Sequence, residues 1–234
     1  MNDSFQDFVY KLGEGITIFG GLNMFKKRLL MSLMSVSLIF TGALGVSASE
    51  IERQNINKPE DVPVEATYPN SRVEIKPGDI LITNNTISKG LTGHAAIVVD
   101  TENIVEIQGI GHNPEKNSIK RFFRDNVGKK YGTKVVRYNR TKIRNKAADW
   151  ADWYVRNYSD VEYAISDLYN YKYKTYCSKI VWNAYYFGAG VRLNTSKTYV
   201  PGPGGTSPIE LEIAAPYDLE DSSDVTTVLT QGNF

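Results

Sequence analysis

The chain has 234 residues, 41% of them hydrophobic and 23% charged, a composition ordinary for a globular protein that argues against bulk disorder. Its 27 Lys and Arg oppose 26 Asp and Glu; residues 1–48 hold four and three of these, leaving 23 of each from Ser49 onward. A neutral body of that length forms one sizeable domain and offers no electrostatic footprint for nucleic acid.

The first predicted element is a targeting signal. Lys26, Lys27 and Arg28 precede an uncharged stretch, Leu29–Val46, and then the small residues Ser47 and Ala48. Basic, apolar and small residues in that order make a secretory signal peptide with cleavage after Ala48. Four hydroxyl residues and two glycines dilute the stretch, which makes it a poor permanent span, although an uncleaved anchor is the alternative. Met24 stands where an initiator methionine belongs, so residues 1–23 read as an upstream extension. The expected domains are thus 1–48 extension and signal, 49–72 a proline-bearing linker, 73–221 the folded unit and 222–234 an acidic tail. Between Ile209 and Phe234 there are six acids and no Lys or Arg, which reads as a solvated edge.

Strand signals open the folded unit. After the Lys76-Pro77-Gly78 turn, Asp79–Thr83 is a short apolar run, and Ile87–Gly93 is a loop. His94–Val99 and Ile104–Gln108 are two runs joined by Asp100–Asn103, a hairpin. A turn over Asp100–Glu102 pairs Val99 with Asn103 and Ala96 with Glu106. Gly109–Asn117 reads as a loop and Lys134–Tyr138 as a further strand. Helical spacing follows over Thr141–Asn157, through Ile143, Ala147, Trp150, Ala151 and Tyr154, and again over Tyr176–Phe187. Eleven of the fifteen tyrosines lie between Tyr131 and Tyr186 and suit either a cleft or a core. From Arg192 onward the chain is expected to be mostly loop, with PGPGG at 201–205. Strands first and helices later predict an α+β domain.

Cys177 is the sole cysteine, so an exported chain has no internal disulfide and keeps one thiol. Apolar helical spacing begins at Cys177 itself, which puts the thiol in a first helical turn. Unpaired N–H groups and the helix dipole there favour a thiolate, and the Cys177 N–H suits an oxyanion. A small buried helix residue is the plain alternative for that cysteine. Only His94 and His112 can serve as an imidazole base. His94 starts an apolar strand after Thr92-Gly93 with no evident core role, whereas His112 lies in a loop. A third group orients such a base. Glu106 falls on the face of His94, one diagonal step away; a one-residue slip favours Gln108 instead, and Asp79 is more remote.

These residues also resemble a known group. Lys76-Pro77-Gly78-Asp79-Ile80-Leu81, Gly93-His94-Ala95-Ala96-Ile97-Val98 and Tyr176-Cys177-Ser178-Lys179-Ile180-Val181-Trp182 are similar to three blocks of the YiiX/YycO-like, circularly permuted NlpC-type cysteine hydrolases. A weaker Pro216-Tyr217-Asp218-Leu219 block follows. The resemblance implies a permuted papain-like fold, with the base on a small antiparallel sheet packed against the nucleophile helix. It carries Cys177, His94 and Glu106 over as the catalytic set, with acyl-enzyme chemistry and neither cofactor nor metal. The expected function is an exported cysteine amidase or peptidase acting, as a monomer without a membrane span, on peptidoglycan peptides in the bacterial wall space. An acyl-ester hydrolase or acyltransferase, or an inactive binding module, are the alternatives.

Overall fold

The computed structural model describes residues 65–85, 93–200, 204 and 206–234. The expected signal, the linker before Glu65, the loop 86–92 and most of the PGPGG segment lie outside the described residues. A six-stranded sheet forms the centre, in the order β10-β5-β1-β2-β3-β4, and every pairing in it is antiparallel. The strands are β1 (Ile80–Thr83), β2 (His94–Val98), β3 (Asn103–Glu106), β4 (Glu115–Ser118), β5 (Gly132–Tyr138) and β10 (Val225–Gly232). Two small ribbons accompany it: β6 (Glu162–Tyr163) beside β7 (Lys174–Thr175), and β8 (Ser196–Val200) beside β9 (Ile209–Ile213). The helices are α1 (Ile119–Asn126), α2 (Thr141–Asn157), α3 (Cys177–Asn183) and α4 (Pro216–Glu220), and α3 runs on as a π-helical turn, Ala184–Gly188. The domain is therefore α+β, as expected. No helix among the described residues is long and apolar enough to cross a membrane.

β1 and β2 are buried along their whole length, which is why they read as continuous apolar runs rather than as alternating ones. Period-two alternation still sorts their side chains. Ile80, Ile82, Ala95, Ile97 and Val105 enter one core with α2 and α3, while Leu81, Ala96, Val98 and Ile104 enter a second under α1. In α1, Ile119, Phe122 and Phe123 recur at helical spacing and face that second core. Each contributes roughly 1.5–3 kcal/mol when fully buried.

The Pro77-Gly78 turn is held by contact. Gly78 has φ +83°, and a Cβ there would stand 2.4 Å from the Arg144 carbonyl oxygen, so only glycine fits against α2. The next residue, Asp79, is fully buried; Arg137 Nε donates to its Oδ1 at 2.7 Å and the Tyr68 hydroxyl to its Oδ2 at 2.7 Å.

Three expectations are corrected. Residues 65–72 are part of the folded unit: Thr67 bridges Glu74, and Tyr68 is only 1% exposed. Residues 222–234 are not a loose acidic tail, because Val225–Gly232 is the edge strand paired to β5. The acids counted there all precede that strand, and the body neutralises several of them, Glu220 through Lys134 at 2.6 Å and Glu210 through Lys197 at 2.6 Å. The chain after Arg192, expected as mostly loop, supplies β8, β9, α4 and β10. Its strands are short and partly exposed (SKTYV, IELEI) or rich in threonine (VTTVLTQG), and tertiary pairing outweighs that weak local pattern.

Candidate active site

The hairpin of β2 and β3 has the expected register. Ile97 pairs with Val105 and Val98 with Ile104, and Val99 N–H donates to Asn103 O at 2.9 Å. Continued by one step, this ladder sets Ala96 opposite Glu106, which leaves Glu106 diagonal to His94 on one face. The two side chains meet with His94 Nε2 2.6 Å from Glu106 Oε2, and both are more than nine-tenths buried. Phe122 of α1 stacks on the imidazole, ring centres 5.8 Å apart.

Gly93 explains how the histidine enters the strand. Its φ is +96°, and a Cβ would lie 2.9 Å from Thr83 O and against the Tyr217 ring. The Pro216-Tyr217-Asp218-Leu219 block, weak as a motif, therefore packs directly beside the backbone that presents His94. His94 is the first residue of β2, and its side chain is buried. There it is reached by Glu106 from the α1 side and by Cys177 from the α3 side.

Cys177 opens α3. Tyr176 before it is extended (φ −146°, ψ 167°), and the first helical bond runs from Ile180 N–H to Tyr176 O at 3.1 Å. The turn is anchored on both flanks: Ala214 N–H donates to the Tyr176 hydroxyl at 3.1 Å, and Ser178 Oγ donates to Ala214 O at 2.6 Å. The Cys177 side chain is 3% exposed and hydrogen-bonds to the His94 imidazole. The backbone N–H groups of Ala95 and Ser178 also point to its sulfur.

Electrostatics follow from that arrangement. Burial pushes the Cys177 thiol up, but the hydrogen bond from His94, its positive charge and the two backbone N–H groups outweigh burial and leave it below its ordinary value. Burial disfavours the imidazolium too, yet hydrogen bonds to Cys177 and Glu106 and their charges raise His94 to about 10. The Glu106 carboxyl is raised by burial and then brought below the usual range by His94, by Asn117 and by the charge of Arg121. The trio thus favours a thiolate–imidazolium pair backed by a carboxylate.

Of the alternatives, His112 is exposed in the 109–114 turn and joins none of these groups. Gln108 lines a cavity of about 250 Å3 with His94, Glu106, Arg121 and Phe122, but has no hydrogen bond to His94. Asp79 is committed to Arg137 and Tyr68. The sequence reading missed Asn117, whose Nδ2 donates to Glu106 Oε1 at 2.8 Å. It also missed Tyr163, half-buried, whose hydroxyl is pushed up to about 12 by burial and by the charge of Cys177. Most other tyrosines pack rather than line a cleft, as in the stack of Trp150 on Tyr154, ring centres 5.1 Å apart.

Comparison with known proteins agrees with this geometry. A crystal structure of metalloprotein YiiX from Escherichia coli O157:H7 superposes with a TM-score of 0.50 at 17% identity, covering 68% of this chain and 98% of that one. It shares the fold. An "Uncharacterized 30.3 kDa protein" of Bacillus thuringiensis is 33% identical over 128 residues, which is 50% of this chain; the match spans 46% of that relative's length. The family profile described as "Lipoprotein N-acylation protein LnsA-like" matches residues 33–221, and so takes in all three motif blocks and the late Pro216–Leu219 one. With four-fifths of its length inside that match, the chain belongs to the lipoprotein N-acylation protein LnsA-like family, whose members are of hydrolase or acyltransferase type on a YiiX-like, papain-like fold.

Proposed function

We propose that this protein is an acyl-transfer enzyme in which Cys177 is the nucleophile, His94 the general base and acid, and Glu106 the carboxylate that orients His94. The observation that carries the reading is the line of hydrogen bonds from the thiol through the imidazole to a buried carboxylate, with the thiol lowered and the imidazole raised. The Cys177 thiolate attacks the carbonyl carbon of an ester or amide and forms a carbon–sulfur bond. The backbone N–H of Cys177 then faces the oxyanion. Collapse breaks the bond to the alcohol or amine, which leaves with the proton of the His94 imidazolium, and a thioester remains. Neutral His94 next takes a proton from the incoming amine or water as that group attacks, and the carbon–sulfur bond breaks to restore the thiolate.

The family description favours a lipid acyl ester as donor and an amine as acceptor. The competing substrate is a peptidoglycan peptide, favoured by the signal-like order of residues 26–48, which makes this an exported protein of the wall space. YiiX is described as a metalloprotein. In this chain His94 Nε2 engages Glu106, and the same imidazole hydrogen-bonds to Cys177. Among the described residues no group of three or more His, Cys, Asp or Glu side chains is placed to hold a metal ion.

Intact-mass spectrometry tests both choices. Full-length protein incubated with vesicles of diacyl phospholipid should gain one acyl mass on Cys177, lost again when an amine acceptor is added, and Cys177→Ala should gain none. Release of cleaved muropeptide with no acyl adduct would move the substrate to wall peptides. Neither product, from a folded chain, would reject the acyl-enzyme reading.

A further inference from the structure

Beyond the three residues of the proposed reaction, the hydrogen bonds continue outward. Glu106 uses one oxygen, Oε2, on His94 and the other, Oε1, on Asn117 Nδ2 at 2.8 Å. Asn117 Oδ1 in turn accepts from Arg121 Nη1 at 2.8 Å. An arginine can only donate, so it fixes which end of the Asn117 amide faces it and turns the NH2 group toward Glu106. Local structure explains the meeting. In the ladder of β3 with β4, Asn117 stands opposite Ile104, one diagonal step from Glu106 on the same face. Ser118 then caps α1 by accepting from Arg121 N–H at 3.2 Å, which brings the guanidinium back over Asn117.

We infer that Asn117, oriented by Arg121, is a positioning residue for the proposed reaction, holding the Glu106 carboxylate so that its free oxygen meets His94. The inference rests on the acyl-enzyme reading and extends it. Asn117 lies half-buried on the edge strand of the sheet, where no apolar packing calls for an amide. Its bond to Oε1 does two things. It removes the rotational freedom of a carboxylate that must present one oxygen to an imidazole, and it stabilises the charged form. Through Glu106 it favours the imidazolium, and through the imidazolium the thiolate. The other charges facing this carboxylate are Arg121, which also favours ionisation, and Glu115, directly opposite Glu106 in the ladder. Asp125 pairs with Arg121 from the next turn of α1 at 3.7 Å.

The test is the pH profile of Cys177 alkylation by iodoacetamide in the full-length protein. Asn117→Ala should move the acid limb upward and slow alkylation at pH 6 by about threefold to tenfold, with the melting temperature held within a few degrees. Asn117→Gln, which keeps the amide donor, should recover most of the loss, and Arg121→Ala should shift the limb the same way by less. A merely structural role would change the melting temperature and leave the profile in place. A lowered wild-type limb on which the Asn117→Ala profile superposes overturns this inference alone. A wild-type limb at the ordinary thiol value overturns the acyl-enzyme reading and this inference with it. Should Asn117→Ala fail to fold, Asn117→Leu, close in size but without a donor, decides: a shifted limb supports the positioning role and an unshifted one rejects it.

Discussion

Cys177 and His94 perturb each other in opposite directions, and a single titration reports both. The thiol lies below its ordinary value because the imidazolium and two N–H groups stabilise its charge, while His94 is raised to about 10 by the same contact and by Glu106. Alkylation needs thiolate, so its rate should already be high well below the ordinary thiol range, and the profile rather than the absolute rate is the readout because burial slows access at every pH. His94→Gln should return the limb toward the ordinary thiol value and lower turnover by about 10²–10⁴. Glu106→Gln removes the carboxylate charge, so it should lower His94, raise Cys177 and leave an intermediate profile; a Glu106→Gln limb identical to wild type would sink its assigned role. These three residues were legible because chemistry limits the choices: one cysteine, two histidines and a tight turn that fixes register. Asn117 was not legible. Its partner lies across a ladder formed by Glu115–Ser118, a run with no apolar residue and hence no periodic signal.

At the scale of the element, α3 depends on a buried cation. Lys179, fully buried, donates from Nζ to Ser166 Oγ at 2.8 Å, Asn170 O at 2.7 Å and Lys174 O at 2.8 Å. All three of its donors are satisfied, and they tie the helix that begins at Cys177 to the segment leading into it. Lys179→Met would leave those acceptors buried without a donor, and chemical denaturation should show a loss of about 2–3 kcal/mol near pH 7. Burial lowers this ammonium to about 8, against an ordinary value of 10.5. Between those two values the unfolded chain holds a proton that the folded chain has released, so the stability of wild type relative to Lys179→Met should rise with pH across that window. A flat difference from pH 8 to 10.5 would count against a buried ammonium. The helix itself was legible from Cys177, Ile180, Val181 and Ala184. Its passage into a π-helical turn at Ala184–Gly188 was not, because α and π turns share the same apolar pattern over so short a span.

For the whole molecule, the most consequential element is the last strand. β10 covers the edge of β5 from Gly132 to Tyr138, with a register shift between Thr227 and Leu229, and Gln231 Nε2 reaches Pro69 O at 2.7 Å. Removing residues 224–234 would bare the ladder groups of β5, a template for pairing with other chains. The truncated protein should melt roughly 10 °C lower or aggregate, measured by thermal unfolding with light scattering; an unchanged melting curve would show that β10 is dispensable. The family match ends at residue 221, so this strand lies beyond it.

The sequence by itself determined the α+β class, the central strands, the two long helical patterns and the candidate set His94, Glu106 and Cys177 that the structure brings together. Each of these rests on local periodicity, on a tight turn or on the scarcity of a residue type. Tertiary structure alone decided the strand order, the closing role of β10, the packing of residues 65–72 and the reach of Asn117 to Glu106. Those depend on which strands become neighbours, and a polar or weakly patterned strand gains its partner only when the rest of the sheet offers a free edge.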